Sequence, residues 1–125
     1  MRIESVKKTA WLEIINAEDG EDLLVELNDV ALSAKVRVYG YLSENLPEFF
    51  LFMKENWRGW SGSKKWGSLE GEFNLKAEMD KMGHITLKVY LCPSQYDGWE
   101  AKTNLYLEPN QLDRLYEEAR ELYPK

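Results

Sequence analysis

Apolar side chains recur along this chain with two periods, and the places where one gives way to the other outline its elements. TAWLEIINA, residues 9–17, is β-prone and runs into EDGED, a turn of glycine and acids. In DLLVELND, Leu23, Val25 and Leu27 alternate with Asp22, Leu24, Glu26 and Asn28, the period of a half-buried strand. Residues 30–42 alternate over a longer run. Val30, Leu32, Ala34, Val36, Val38 and Leu42 fall on one face, and Ser33, Lys35, Arg37, Tyr39 and Tyr41 on the other.

The period then lengthens. Leu46, Phe49, Phe50, Met53 and Trp57 recur at three- and four-residue steps, the core-facing stripe of a helix over 45–58. Asn45 suits its N-cap with Glu48 as capping-box partner, Pro47 is tolerated in the first turn, and Gly59 and Gly62 stop it. Beyond residue 71, Phe73, Leu75, Ala77 and Met79 alternate with Glu72, Asn74, Lys76, Glu78 and Asp80, and DKMG reads as a hairpin turn. Ile85, Leu87, Val89 and Leu91 alternate with His84, Thr86, Lys88, Tyr90 and Cys92 in the next strand. A PSQYDG turn leads to WEAKTNLYLEP, with Ala101, Thr103, Leu105 and Leu107 on one face. NQLDRLYEEARELY closes the chain as a second helix, with Asn110 as N-cap and Asp113 three residues on.

The expected fold is α+β: a six-stranded, mostly antiparallel sheet with two helices on one face, in the order βββα-βββα, because each element must bury its single apolar face. Its two halves match in pattern, as any two amphipathic helices after antiparallel strands would. At 125 residues and 14.7 kDa the chain fits one domain, residues 1–125. Hydrophobic residues at 44% and charged residues at 30% are those of a folded globular chain.

Charge and segment content narrow the class. A net charge of −6 argues against binding duplex nucleic acid, which needs a concentrated basic surface, and makes a basic protein partner electrostatically easier. No stretch reaches the roughly 18 apolar residues of a membrane span, and the start has no signal-peptide core, so a cytoplasmic protein without membrane partner is expected. One cysteine and one histidine cannot assemble a Cys/His zinc site, and neither a metal nor a cofactor is expected.

With the helices over the apolar face, the open face of the sheet displays Lys35, Arg37, Tyr39, Tyr41, His84, Thr86, Lys88, Tyr90, Lys102, Asn104 and Tyr106. That face is basic and tyrosine-rich on an acidic protein, the composition of a recognition surface, although paired tyrosines also stabilise sheets.

Motifs with a defined mechanism are missing: no Walker loop, GxGxxG, GxSxG, HExxH or CxxC occurs. His84 is the natural general base, with Asp80 across the DKMG turn and Glu70 or Glu72 brought near by strand pairing, but a histidine at a hairpin exit is more often a surface residue. Cys92 has no neighbouring base, and Glu18, Asp19, Glu21 and Asp22 lack calcium-loop spacing. No catalytic residue is assigned.

WRGWSGSKKWGSLEG, residues 57–71, holds three of the five tryptophans. Glycines there permit tight backbone paths and a bulky indole can cap a core, so Trp57 and Trp66 are expected to seal the corner between helix and strand. Trp60 is the ring expected to face water, with Lys64 and Lys65 beside it to meet an anionic partner. Trp57, Gly59, Trp60, Trp66, Ser68, Leu69, Glu70, Gly71, Gly83 and His84 together resemble a family of small uncharacterised bacterial proteins with the pattern W-x-G-W, W-x-S-L-E-G, G-H. That resemblance covers about the middle third of the chain and implies no activity.

The leading expectation is a non-catalytic interaction module, in the manner of toxin-neutralising immunity proteins, using the open face or the tryptophan loop. The alternatives are a small-molecule binder or modest enzyme with a tryptophan-lined cleft near His84 and Glu70, and a homodimer closed over the open face.

Overall fold

The β-periodic stretches build two sheets, not one. The computed structural model describes residues 1–18, 21–39, 45–93 and 98–122. The strands are β1 (Arg2–Glu4), β2 (Trp11–Asn16), β3 (Leu23–Asp29), β4 (Leu32–Val38), β5 (Lys64–Gly67), β6 (Phe73–Met79), β7 (Ile85–Leu91) and β8 (Ala101–Leu107). Helix α1 (Leu46–Glu55) follows β4, and α2 (Leu112–Glu121) follows β8 after a 3-10 turn at Pro109–Gln111. The first four strands form one antiparallel meander and the last four another.

The expected six-stranded sheet is thus corrected to two four-stranded sheets, and the order to ββββα-ββββα. Two strands escaped the pattern because β1 and β5 have only 3 and 4 residues, too few for alternation to register. Between β4 and β5 the chain passes through α1 and the tryptophan segment, and among the described residues β4 pairs with β3 alone. The long strand expected over 30–42 begins at Leu32, because Asp29 pairs with Leu32 and leaves Val30 on the hairpin, 83% exposed. Tyr41 and Leu42 lie outside the described residues, as do the centres of the EDGED and PSQYDG turns.

Each sheet buries one face. Ile14, Val25 and Val38 from the first sheet, Leu75, Leu87 and Leu105 from the second, Phe49, Phe50 and Met53 of α1 and Leu115 of α2 share one hydrophobic cluster. Alternation supplies the apolar face and the helical stripes cover it, the two-layer solution that removes most apolar area from water. Polar contacts then lock one sheet to the other. The Val6 amide donates to the Tyr106 carbonyl at 2.7 Å, and the Tyr106 amide to Ser5 Oγ at 3.0 Å. Thr103 Oγ1 donates to Asp29 Oδ2 at 2.6 Å, and the Tyr39 amide to Glu72 Oε2 at 3.2 Å.

The helix caps also differ from expectation. Asn45 precedes α1 but makes no side-chain cap bond, so no capping box forms with Glu48. At the second helix the box is shifted upstream: Glu108 and Gln111 bond reciprocally around the 3-10 turn, replacing Asn110 and Asp113. Among the described residues no helix is long and apolar enough to cross a membrane.

Candidate functional site

Helix α1 ends at Glu55, two residues before Trp57, and this decides which indole faces water. The Asn56 amide and side-chain nitrogen both bond the Phe52 carbonyl, and the Gly59 amide bonds the Asn56 carbonyl, so the chain turns away from the stripe of Phe49, Phe50 and Met53. Trp57 leaves that stripe and is 52% exposed, beside Arg58 and a shallow groove shared with Lys54, Pro109 and Asp113. Trp60 turns inward instead, donating from Nε1 to the Ala77 carbonyl at 3.4 Å and meeting the Phe52 ring edge-on at 5.7 Å. Trp66 is buried against Phe73 at 5.1 Å, as expected. The assignments of Trp57 and Trp60 are therefore exchanged.

The residues of the suggested cleft do not converge. His84 and Glu70 flank opposite ends of β6, a strand about 20 Å long at the usual rise. His84 Nδ1 is 3.3 Å from Asp80 Oδ2 with its side chain 67% exposed, and both belong to the 80–84 hairpin. Asp80 Oδ1 accepts the amides of His84 and Met82, and these bonds, the His84 amide foremost, hold its carboxyl below the ordinary range. That is the chemistry of a turn, with the imidazole as its outer partner. Cys92 is buried and Glu70 is exposed. Among the described residues no three metal-ligating side chains gather.

The segment SLEGEF builds a buried polar latch that alternation had placed outside. Ser68 and Gly71 close a turn through the Gly71 amide at 3.1 Å, with Gly71 at a φ of +78, a conformation that favours glycine. The turn carries Glu72 inward to 3% exposure, where Oε1 accepts the Ser68 hydroxyl at 2.7 Å and Oε2 the Tyr39 amide. Glu72 thus joins the two sheets and is spent structurally.

The residues expected on one open face are divided between the two sheets. Lys35 and Arg37 lie on the first sheet, ion-paired to Glu26 at 3.3 Å and Asp22 at 2.7 Å. Ile15 and Leu24 stand opposite each other on that same face, beside Glu13, so its charges are mixed and locally compensated. Tyr39 is exposed just past β4.

The second sheet is different. Lys65 pairs with Lys76, Lys76 with Lys88, and Lys88 with Asn104, so three cations and an amide stand in one row across β5, β6, β7 and β8. The neighbouring rows place Asn74, Tyr90 and Lys102 on one side and Glu78, Thr86 and Tyr106 on the other. Lys88 bonds Glu78 at 2.8 Å, and its hydrogen bond and charge hold the Glu78 carboxyl below the ordinary range. Among the described residues Lys65 and Lys76 form no ion pair. Lys102 and Lys7 lie over the Tyr90 and Tyr106 rings at 5.4 Å and 4.6 Å. Partial burial, and then the bond to Glu100 at 3.1 Å, pushes the Tyr90 phenol up to about 12, so it remains a neutral donor at neutral pH. Lys64 is separated from this group: it points to the core side and sits 4.7 Å over the Phe52 ring.

A family model matches residues 4–125, all but the first three residues. The chain belongs to the family of unknown function DUF6228. No curated protein and no solved structure matches it. In this DUF6228 chain the matched span takes in β2 to β8, both helices and the whole lysine row. Two of its notable residues have roles that the sequence pattern does not reveal. Lys76 appeared only as one polar position of a strand, because its neighbours in the row are 11 and 12 positions away along the chain. Glu72 sat at a position that alternation assigns to solvent.

Proposed function

We propose that this protein is a non-catalytic interaction module that docks a protein partner on the exposed face of its second sheet. The observation that carries the reading is the register of Lys65, Lys76 and Lys88 on three adjacent strands. Like charges directly opposite each other destabilise a sheet, and fold stability offers no reason to keep three of them in register when two hold no ion pair among the described residues. Tyr90, Tyr106 and Asn104 surround the row with flat rings and an amide, side chains that give contact area and hydrogen bonds at small entropic cost. The separation of His84 and Glu70 at opposite ends of β6 speaks against the cleft-based alternative. A toxin-neutralising protein is one form such a module takes.

Site-specific photo-crosslinking tests the reading in the cells that make the protein. A photoreactive side chain replacing Asn104 is expected to trap one specific protein, whereas one replacing Ser33 on the first sheet gives background alone. Equal labelling from both faces, or none from Asn104, would remove the second-sheet face from consideration.

A further inference from the structure

We infer that the partner presents an acidic helix, whose carboxylates at positions i, i+3 and i+7 meet Lys65, Lys76 and Lys88. The inference rests on the reading of the second-sheet face as a docking surface and adds the chemistry of what docks there. Adjacent strands lie about 4.8 Å apart, so the three lysine Cα atoms span roughly 10 Å across the strands. A helix rises about 1.5 Å per residue, so carboxylates at i, i+3 and i+7 span about 10.5 Å on one face. An extended acidic segment repeats its side chains on one face every 6.6 Å or so, and three of them span about 13 Å, out of step with the row.

Charge selects the sign. Glu78, in the neighbouring row, is ion-paired to Lys88 and its charge also reaches Lys76, but among the described residues Lys65 and Lys76 hold no ion pair and are left to receive anions from outside. Elsewhere the surface works against an acidic ligand: α2 carries Asp113, Glu117, Glu118 and Glu121 against Arg114 and Arg120, and the chain as a whole is at −6. An acidic helix is therefore repelled at long range and held only where the lysines touch it, which confines binding to this face. The first-sheet face lacks such a row, because Glu13 and Glu26 stand opposite each other beside Lys35.

The probe is a fluorescein-labelled alanine-based helical peptide with glutamates at i, i+3 and i+7, titrated with the full chain and followed by anisotropy. Its glutamine counterpart and a single-stranded oligothymidine serve as parallel arms. The acidic peptide is expected to bind, and the triple variant Lys65→Gln, Lys76→Gln, Lys88→Gln to weaken it by roughly tenfold, the sum of three exposed ion pairs. The reversal Lys65→Glu, Lys76→Glu, Lys88→Glu, checked for its fold by circular dichroism, is expected to take the lysine version of the peptide instead. Equal binding of the glutamine peptide, unchanged affinity in the glutamine variant, no binding of the acidic peptide, or tighter lysine-dependent binding of the oligonucleotide would each overturn the inference. A specific adduct at Asn104 alongside a failed titration would leave the docking face standing and reject only the acidic helix.

Discussion

Ser68 holds the carboxylate of Glu72 from the turn just after β5, five residues before β6 begins: its hydroxyl donates to Oε1 at 2.7 Å while its oxygen accepts the Phe73 amide at 3.1 Å. Because Glu72 also takes the Tyr39 amide, one serine supports a contact between the two sheets. Ser68→Ala leaves a buried carboxylate without one of its donors, at a cost of about 1–3 kcal/mol. Thermal unfolding should show Tm lower by roughly 3–10 °C, and an unchanged Tm would mean that the latch contributes nothing.

The tryptophans separate by the same logic. Trp66 is packed on Phe73 within the core, so Trp66→Ala should cost about 3–5 kcal/mol. Trp57→Ala removes a ring that is half in water and should cost under about 1 kcal/mol. Urea denaturation of the two variants compares them directly; similar midpoints would contradict the placement of α1's end at Glu55.

Stability in acid should depend on Thr103. Its hydroxyl, and after it the Val30 amide, holds the Asp29 carboxyl below its ordinary value of 3.8. A carboxyl whose folded-state pKa is depressed adds stability that is complete above the unfolded value and is lost as pH falls through the folded one. Thr103→Val should therefore lower Tm at pH 6, and the gap from the parent should narrow as pH drops below about 4. A gap of constant size down to pH 2 would show that the hydroxyl does not act through the Asp29 charge.

Much of the fold could be read from periodicity. The strands carrying Val25, Val36, Leu75, Leu87 and Leu105 declare themselves because each buries one face for five residues or more. The split into two sheets could not be read, since alternation tells which face a strand buries and is silent about its neighbour. The site was legible only in fragments. The pattern marks Lys65, Lys88, Tyr90 and Tyr106, but it puts Lys65 in a loop and gives its partner Lys76 no role, because a row across a sheet joins residues far apart in the chain. Trp57 misled for a local reason: the apolar stripe continues at Met53 plus four, but the helix ends before reaching it.

Lys76 stands between two other lysines, so relieving it should help the fold while harming the site. Lys76→Thr substitutes a β-branched residue suited to strands and removes repulsion of about 0.2–1 kcal/mol. Tm is expected to rise by a degree or more as affinity for the acidic peptide falls, the opposed pattern of a residue retained for function. A drop in Tm would show that Lys76 serves the fold.

On the proposed reading the second-sheet face, and not the first, receives the partner. An amide-nitrogen NMR titration of the labelled protein with the acidic helical peptide reads this residue by residue. Shifts are expected for Lys65, Lys76, Lys88 and Asn104 and their row neighbours, with Glu13, Leu24, Lys35 and Arg37 unmoved. Shifts centred on Ile15 and Leu24, or spread evenly over both sheets, would contradict it.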